Sequence, residues 1–216
     1  FETVMYGVEP DQYYMIATAE HPLTAMFMDE TIPEDQLPLR LVGVSSCFRR
    51  EVGSHGQSDL GIWRVHQFTK IEQIIIARPE DSWKLHEELL SNCVDLWNSL
   101  GIHFEIVNIC TGDMGTVAAK KYDLEAWIPG AEQYKEIVSC SNCTDYQANR
   151  LKIRYGQPGH PNQPIVHTLN STAVATSRAL VAIMEQYQLE DGKVAIPEVL
   201  QAYMGGQTVL EPCQWG

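Results

Sequence analysis

The chain has 216 residues, 44% of them hydrophobic and 20% charged, and a formal net charge of -13. That size and balance describe one globular domain with a real core, which excludes a disordered or fibrous chain. The acidity argues against a broad nucleic-acid footprint, no apolar run approaches the roughly 18 residues of a membrane span, and the acidic start Phe1-Glu2-Thr3-Val4 lacks a signal-peptide pattern, so a cytoplasmic protein is expected.

Gln12 to Thr18, β-branched and aromatic, predicts a strand, and Pro22 opens a short helix through Phe27. Asp29 to Pro38, with its prolines and acids, reads as a solvated connection. Leu39 to Glu51 and Trp63 to Ala77 predict the two strands of an antiparallel hairpin, with a Gly-rich polar loop from Ser54 to Ile62 between them. Pro79-Glu80-Asp81 starts a helix whose stripe of Leu85, Leu89, Leu90, Val94, Leu96, Trp97 and Leu100 keeps helical period until Gly101 stops it. His86, flanked by Glu87 and Glu88, is expected on a solvated face.

Ile102 to Ile109 is a further strand, Thr111 to Gly115 a turn, Lys121 to Trp127 a short strand, and Tyr134 to Ser139 a strand carrying Glu136. Thr144-Asp145 caps a helix through Asn149, Leu151 to Tyr155 is extended, and Gly156 to Pro164 is a surface loop. Pro164 to Asn170 predicts a strand, and Ser171 or Thr172 the start of a helix reaching Tyr187. In that helix Arg178 sits in the second turn, with Val174, Leu180, Val181, Ile183, Met184 and Tyr187 facing inward. Asp191-Gly192 is a turn and Pro197 to Tyr203 a short last element. There is no GxGxxG or GxxxxGK[ST] loop, so Rossmann and Walker sites are excluded. The fold class expected is α+β, an antiparallel β-sheet flanked by helices.

Arg49, Glu51, Arg64 and Glu72 on the hairpin are costly to bury unless they meet partners or a ligand, and a site for a polyphosphate and an amino acid would supply both. Arg49, Arg50, Arg64 and Lys70 also form a local basic cluster on an acidic background. Each has a plain alternative: an Arg-Glu pair on a strand is usually a structural ion pair. His66 reads as a core or hairpin histidine and Tyr13, Tyr14 and Trp63 as packing, while His167 is open to either reading. The six cysteines are too scattered for a disulfide scaffold; Cys140-Ser141-Asn142-Cys143 is half of a zinc pattern with no second half, and no zinc is expected.

A series of motifs goes further. Thr18-Ala19-Glu20, Phe48-Arg49-Arg50-Glu51, His66 to Glu72, Cys110 to Gly115, Tyr122-Asp123-Leu124-Glu125, Glu136 to Cys143, His167-Thr168-Leu169-Asn170, Arg178 and Ile196 to Leu200 follow one another over nearly the whole chain. In that order they resemble the catalytic domain of the seryl-tRNA synthetases, class II aminoacyl-tRNA synthetases. The resemblance implies an ATP-dependent ligase acting in two steps. Serine's carboxylate attacks the α-phosphate of ATP to give seryl-adenylate and pyrophosphate, and the seryl group then passes to the terminal ribose of tRNA(Ser).

By resemblance, Arg49 bridges the serine carboxylate and the α-phosphate, and Arg178 holds the γ-phosphate, which makes these two the catalytic residues. Arg50, Glu51, Glu136, Ile137, Val138 and Ser139 complete the ATP site, with Glu51 accepting from the adenine amino group and Glu136 and Ser139 holding Mg²⁺. Thr18, Ala19, Glu20, Glu72 and Asn170 surround serine together with Arg49, and Thr172 reads its hydroxyl. A pocket built to bond a hydroxyl is left unpaired by alanine and rejects it; threonine must be excluded by size.

The family's N-terminal tRNA-gripping helices and its first class II motif have no counterpart in residues 1–216, so the expectation is one catalytic domain from a longer chain. L-serine, ATP and tRNA(Ser) are the expected partners, with a homodimer in the complete protein and no membrane. A synthetase-like paralogue that binds or regulates, or that loads a carrier protein, is the alternative reading.

Overall fold

In the computed structural model the structure describes residues 2–51, 61–157 and 159–212. Its centre is a six-stranded, wholly antiparallel sheet. The strands are β1 (Leu39–Phe48), β2 (Gln67–Ala77), β3 (Phe104–Asn108), β4 (Lys120–Ile128), β5 (Gln133–Asn142) and β6 (His167–Ala175). Their spatial order is β1-β2-β6-β5-β4-β3, so β6, last in sequence, inserts at the centre. The helices are α1 (Glu20–Ala25), α2 (Ser82–Ser99), α3 (Tyr146–Leu151), α4 (Thr176–Gln186) and α5 (Glu198–Gln201). The architecture is the expected α+β.

The β1–β2 ladder runs from Leu39↔Ile76 to Phe48↔Gln67. It is shorter at its loop end than the sequence suggests, because Gly61–Trp63 form a turn of 3₁₀ helix and Arg49 leaves the ladder. The expected loop falls largely outside the described residues. Alternation along β2 sends Gln73, Ile75 and Ala77 to one face, where the stripe of α2 covers them, and leaves Lys70 and Glu72 on the other. α2 ends as expected: Gly101 follows the cap with φ 67° and its N–H returns to the Asn98 carbonyl. Leu89, Cys93 and Trp97 of α2 are almost fully enclosed against Leu124, Val138 and Leu169. A second cluster beside α3 joins Ile32, Ile76, Ala148, Ile153 and Val166.

Several local expectations change. Gln12 to Thr18 is not a strand: only Tyr13–Tyr14 pair, with Gly7–Val8, and both tyrosines are exposed, so they do not pack into the core. His86 is not solvated. It is fully buried, bonded through Nε2 to the Cys140 carbonyl and stacked on Tyr122. At about 100° per residue, the helix turns His86 inward although Glu87 beside it faces water.

The largest change is at residue 171. β6 continues through Ala175, and α4 starts only at Thr176, placing Arg178 in its first turn. With the helix starting later its inward positions move, and Ala179 and Ala182 are buried while Leu180 and Met184 are exposed. Strand pairing to β5 as far as Ser171, and to β2 through Ala175, outweighs the local pattern.

Candidate active site

On the face of the sheet away from α2 lies a cleft of about 380 Å³. Its floor is β2, β6 and β5, and the segment after β1 and the start of α4 form its walls.

At one end the groups are carboxylates. Glu72 is 2% exposed and Lys70, two positions earlier on the same face, is 6% exposed; their charged ends meet at 2.5 Å. Burial, with Glu20 adding, pushes the Glu72 carboxyl up from its ordinary 4.5, against the pull of Lys70 and the Thr172 hydroxyl. The Thr172 hydroxyl donates to Glu72 Oε2 at 3.3 Å. Glu20, at the start of α1, accepts at Oε1 from Gln147 Nε2 at 2.6 Å and Asn170 Nδ2 at 3.1 Å, so that oxygen is fixed from two other elements.

The other end is cationic. Arg49 donates from Nε to the Ala17 carbonyl at 3.1 Å and lies 5.4 Å from the centre of the Phe68 ring, which holds its stem and leaves the rest of the fork toward the cleft. Glu51 takes a left-handed backbone, φ 50°, and pairs with Arg64 at 2.8 Å; a non-glycine residue in that region is strained and is held there by its surroundings. Arg178 donates to the Glu136 carbonyl at 2.8 Å, approaches the Glu136 carboxylate at 3.4 Å, and lies over the Trp63 ring at 5.3 Å. Lys135 also reaches that ring, at 5.2 Å.

Between the two ends Glu136 and Ser139 of β5 line the cleft, bordered by Ile137, which also belongs to the core cluster under α2. Behind Ser139, its ladder partner Asp123 is 4% exposed, bonds the Ser139 side chain and pairs with Lys121 at 3.1 Å. Burial first, then the Glu136 charge, raise the Asp123 carboxyl to about 6, and its Oδ1 has no hydrogen-bond partner.

The cleft therefore brings together Glu20, Arg49, Glu51, Glu72, Glu136, Ile137, Ser139, Asn170, Thr172 and Arg178 from six separate stretches of chain. Four residues of the sequence reading do not line it. Thr18 and Ala19 are buried, with the Thr18 hydroxyl accepting the Glu20 N–H. Arg50 is exposed, its backbone N–H bonded to the Val4 carbonyl, and Val138 points into the core under α2. Lys70, Trp63, Phe68 and Ser177 line the cleft without having been assigned to it. Lys70 had a signal, a cation two positions from Glu72 on the same strand face. Trp63, mostly buried as packing requires, becomes a wall through the two cations on its ring.

Cys140 and Cys143 are buried thiols rather than exposed ligands; burial raises both, Cys143 to about 12. His167 bonds the Ser82 hydroxyl at 2.9 Å, and His66 bonds the Tyr6 hydroxyl near the surface, not in the core.

A cleft with carboxylates at one end and arginines at the other, floored by an antiparallel sheet, has relatives. Residues 6–187 match the model of the tRNA synthetase class II core domain (G, H, P, S and T). The chain belongs to this class II synthetase family. It is 60% identical over 212 residues to the serine–tRNA ligase of Methanocorpusculum labreanum, covering 97% of this chain and 50% of that one. To the serine–tRNA ligase of Archaeoglobus fulgidus it is 58% identical, over 94% of this chain and 45% of the relative. The crystal structure of seryl-tRNA synthetase from Pyrococcus horikoshii complexed with ATP superposes with a TM-score of 0.95 at 52% identity, over 99% of this chain and 47% of that one. Prolyl-tRNA synthetase from Giardia lamblia, at 15% identity and a TM-score of 0.73, shares the fold. The chain thus spans about half the length of the curated relatives it matches.

Proposed function

We propose that this class II core carries the serine activation and seryl transfer of a serine–tRNA ligase. One observation carries the reading: a single cleft sets a buried hydroxyl-and-carboxylate pocket, Thr172 with Glu72, beside the arginines Arg49 and Arg178. Serine needs a site for its ammonium and hydroxyl at one end and for its carboxylate at the other, and ATP needs cations where that carboxylate ends. Identities of 52% to 60% to serine–tRNA ligases support the same substrate.

In this reading Glu20 and Glu72 take the ammonium, Asn170 and Thr172 the side-chain end, and Arg49 the carboxylate together with the α-phosphate. Thr18 and Ala19 act from beneath by setting the start of α1, on which Glu20 sits. A serine carboxylate oxygen bonds to the α-phosphorus as the bond to pyrophosphate breaks. A tRNA ribose hydroxyl then bonds to the acyl carbon as AMP leaves. A fixed guanidinium at Arg49 opposes the charge that builds on the phosphorus oxygens, and Arg178 that on the departing phosphates. Glu51, with Arg50 beside it, holds the adenine end, and Val138 backs the β5 segment of the site.

The residues present fit Mg²⁺ held with ATP. Glu136 and Ser139 offer hard oxygens at the cleft, and the buried, unpartnered Asp123 Oδ1 just behind them marks a site short of positive charge. Bound there, Mg²⁺ would neutralise phosphate charge; Glu136 and Ser139 would hold it.

tRNA(Ser) is the acceptor, and the full protein works as a cytoplasmic homodimer. Support for pairing comes from the edge strand β1, whose Val42 and Val44 are 66% and 69% exposed. No helix of the described residues is long and apolar enough to cross a membrane. The test is ATP–pyrophosphate exchange with Mg²⁺ across the twenty amino acids, on this chain and on the full-length protein. Exchange with serine alone is expected; exchange with another amino acid, or none in the full-length protein, would overturn the reading.

A further inference from the structure

Thr172 and Ala175 both line the cleft although they lie three positions apart, an odd spacing that a regular strand sends to opposite faces. The break is a β-bulge. Thr172 pairs with Glu72 and Val174 with Ile71, leaving Ala173 as the extra residue. A bulge frees backbone groups from the ladder, and buried ones must find other partners. Here the Ala173 carbonyl finds a partner on α2, and the Thr172 carbonyl is shared between α2 and the Ser171 hydroxyl, which donates to it at 3.3 Å. The Trp97 indole N–H donates to the Ala173 carbonyl at 3.1 Å, and the Cys93 thiol donates to the Thr172 carbonyl at 3.4 Å. Cys93 and Trp97 are four residues apart, hence on one helical face, and both are fully buried. Gln73 in turn donates to Cys93 Sγ at 3.3 Å, and Asn92 to Gln73 at 2.9 Å.

We propose that Trp97 and Cys93 form a latch that holds the β6 bulge and thereby aims Thr172 at the side chain of the amino-acid substrate. Neither residue lines the cleft, so both are positioning residues that select a small hydroxyl amino acid over its deoxy analogue through Thr172. The bulge also re-phases the strand so that Ala175, Ser177 and Arg178 follow on the cleft side. The proposal rests on the reading that Thr172 bonds the substrate hydroxyl. Without the indole N–H the Ala173 carbonyl is buried and unpaired, and the segment relaxes toward another register.

The experiment is pyrophosphate exchange in the full-length protein with serine and with alanine, comparing Trp97→Phe, Thr172→Ala and, as a control for a softened core, Leu89→Ala on the same helix. Trp97→Phe keeps an aromatic ring, loses the donor and leaves a small void, the effect that Leu89→Ala controls for. It is expected to raise KM for serine and lower the serine-over-alanine ratio by about tenfold each, with KM for ATP changed less than about twofold. Leu89→Ala is expected to melt earlier and keep the ratio. If Trp97→Phe does not fold, the Cys93 pair decides: Cys93→Ala should lower the ratio and Cys93→Ser, which keeps a donor, should restore it. A ratio that falls in Thr172→Ala but holds in Trp97→Phe, or in both Cys93 variants, would overturn the latch and leave the site reading standing. A ratio unchanged in Thr172→Ala would overturn both.

Discussion

The Thr172 hydroxyl donates to the Glu72 carboxylate at 3.3 Å, from the position directly across the β2–β6 ladder. Glu72 is thus held by two donors, Thr172 and the Lys70 ammonium, in a place where burial opposes its charge. Any cation that binds beside it gains a partner already stripped of water.

That arrangement sets a pH dependence. Glu72 must be ionised to hold an ammonium, and its carboxyl is raised above 4.5 by burial. As pH falls through that raised value the site loses its charge, so kcat/KM for serine should decline on an acid limb lying above pH 4.5. Glu72→Gln should remove the limb and cost about a hundredfold in kcat/KM, since a buried, hydrogen-bonded charge partner is lost. Pyrophosphate exchange across pH checks both; an unchanged acid limb in Glu72→Gln would assign it elsewhere.

Among the described residues the Arg49 side chain bonds the Ala17 carbonyl and contacts the Phe68 ring. Arg49→Ala should therefore fold, losing about 1 kcal/mol, while adenylate formation falls by about a thousandfold or more. Urea melts and pyrophosphate exchange separate the two effects. Normal exchange in this variant would sink the mechanism.

Gly43 of β1 pairs with Glu72 of β2 and lies under α1. A Cβ there would sit 2.7 Å from Leu23 Cδ1 and 2.8 Å from Ala19 Cβ. Leu23 can swing aside, but Ala19 moves only with the helix, and Glu20 goes with it. Gly43→Ala should cost about 1–3 kcal/mol and raise KM for serine more than KM for ATP. Thermal melts and the two KM values test this.

His86 is buried neutral, its imidazole held below 6.5 by desolvation against the pull of the Cys140 carbonyl. Its folded value lies below the unfolded one, so its contribution is complete above pH 6.5 and is lost as pH falls toward the folded value. His86→Phe, which leaves the Cys140 carbonyl without this partner, should cost about 1–3 kcal/mol at pH 7.5 and less at pH 5. Urea unfolding at both pH values gives the difference; a gap that widens toward pH 5 would contradict the burial argument.

Local order was legible wherever local rules decide. The stripe of α2 and its stop at Gly101 follow from helical period and from the one residue that takes positive φ freely. The β1–β2 hairpin and the α+β class follow from alternation and turn chemistry. Arg49, Glu51, Arg64 and Glu72 stood out because charge in a strand needs a partner, and Arg178 only through the family resemblance.

Tertiary structure decided the rest. Ser171 onward has a helical pattern, yet the neighbouring strand β2 and two α2 side chains about 80 positions away hold Thr172 to Ala175 extended. His86 became a buried residue only once the sheet and α2 closed on each other. Residue type and period, which a sequence displays, determined which elements form and which charges require partners. The bulge that aims Thr172, and the joining of Glu20, Glu72 and Arg178 in one cleft, depend on backbone hydrogen bonds and packing between distant segments, which exist only in the folded chain.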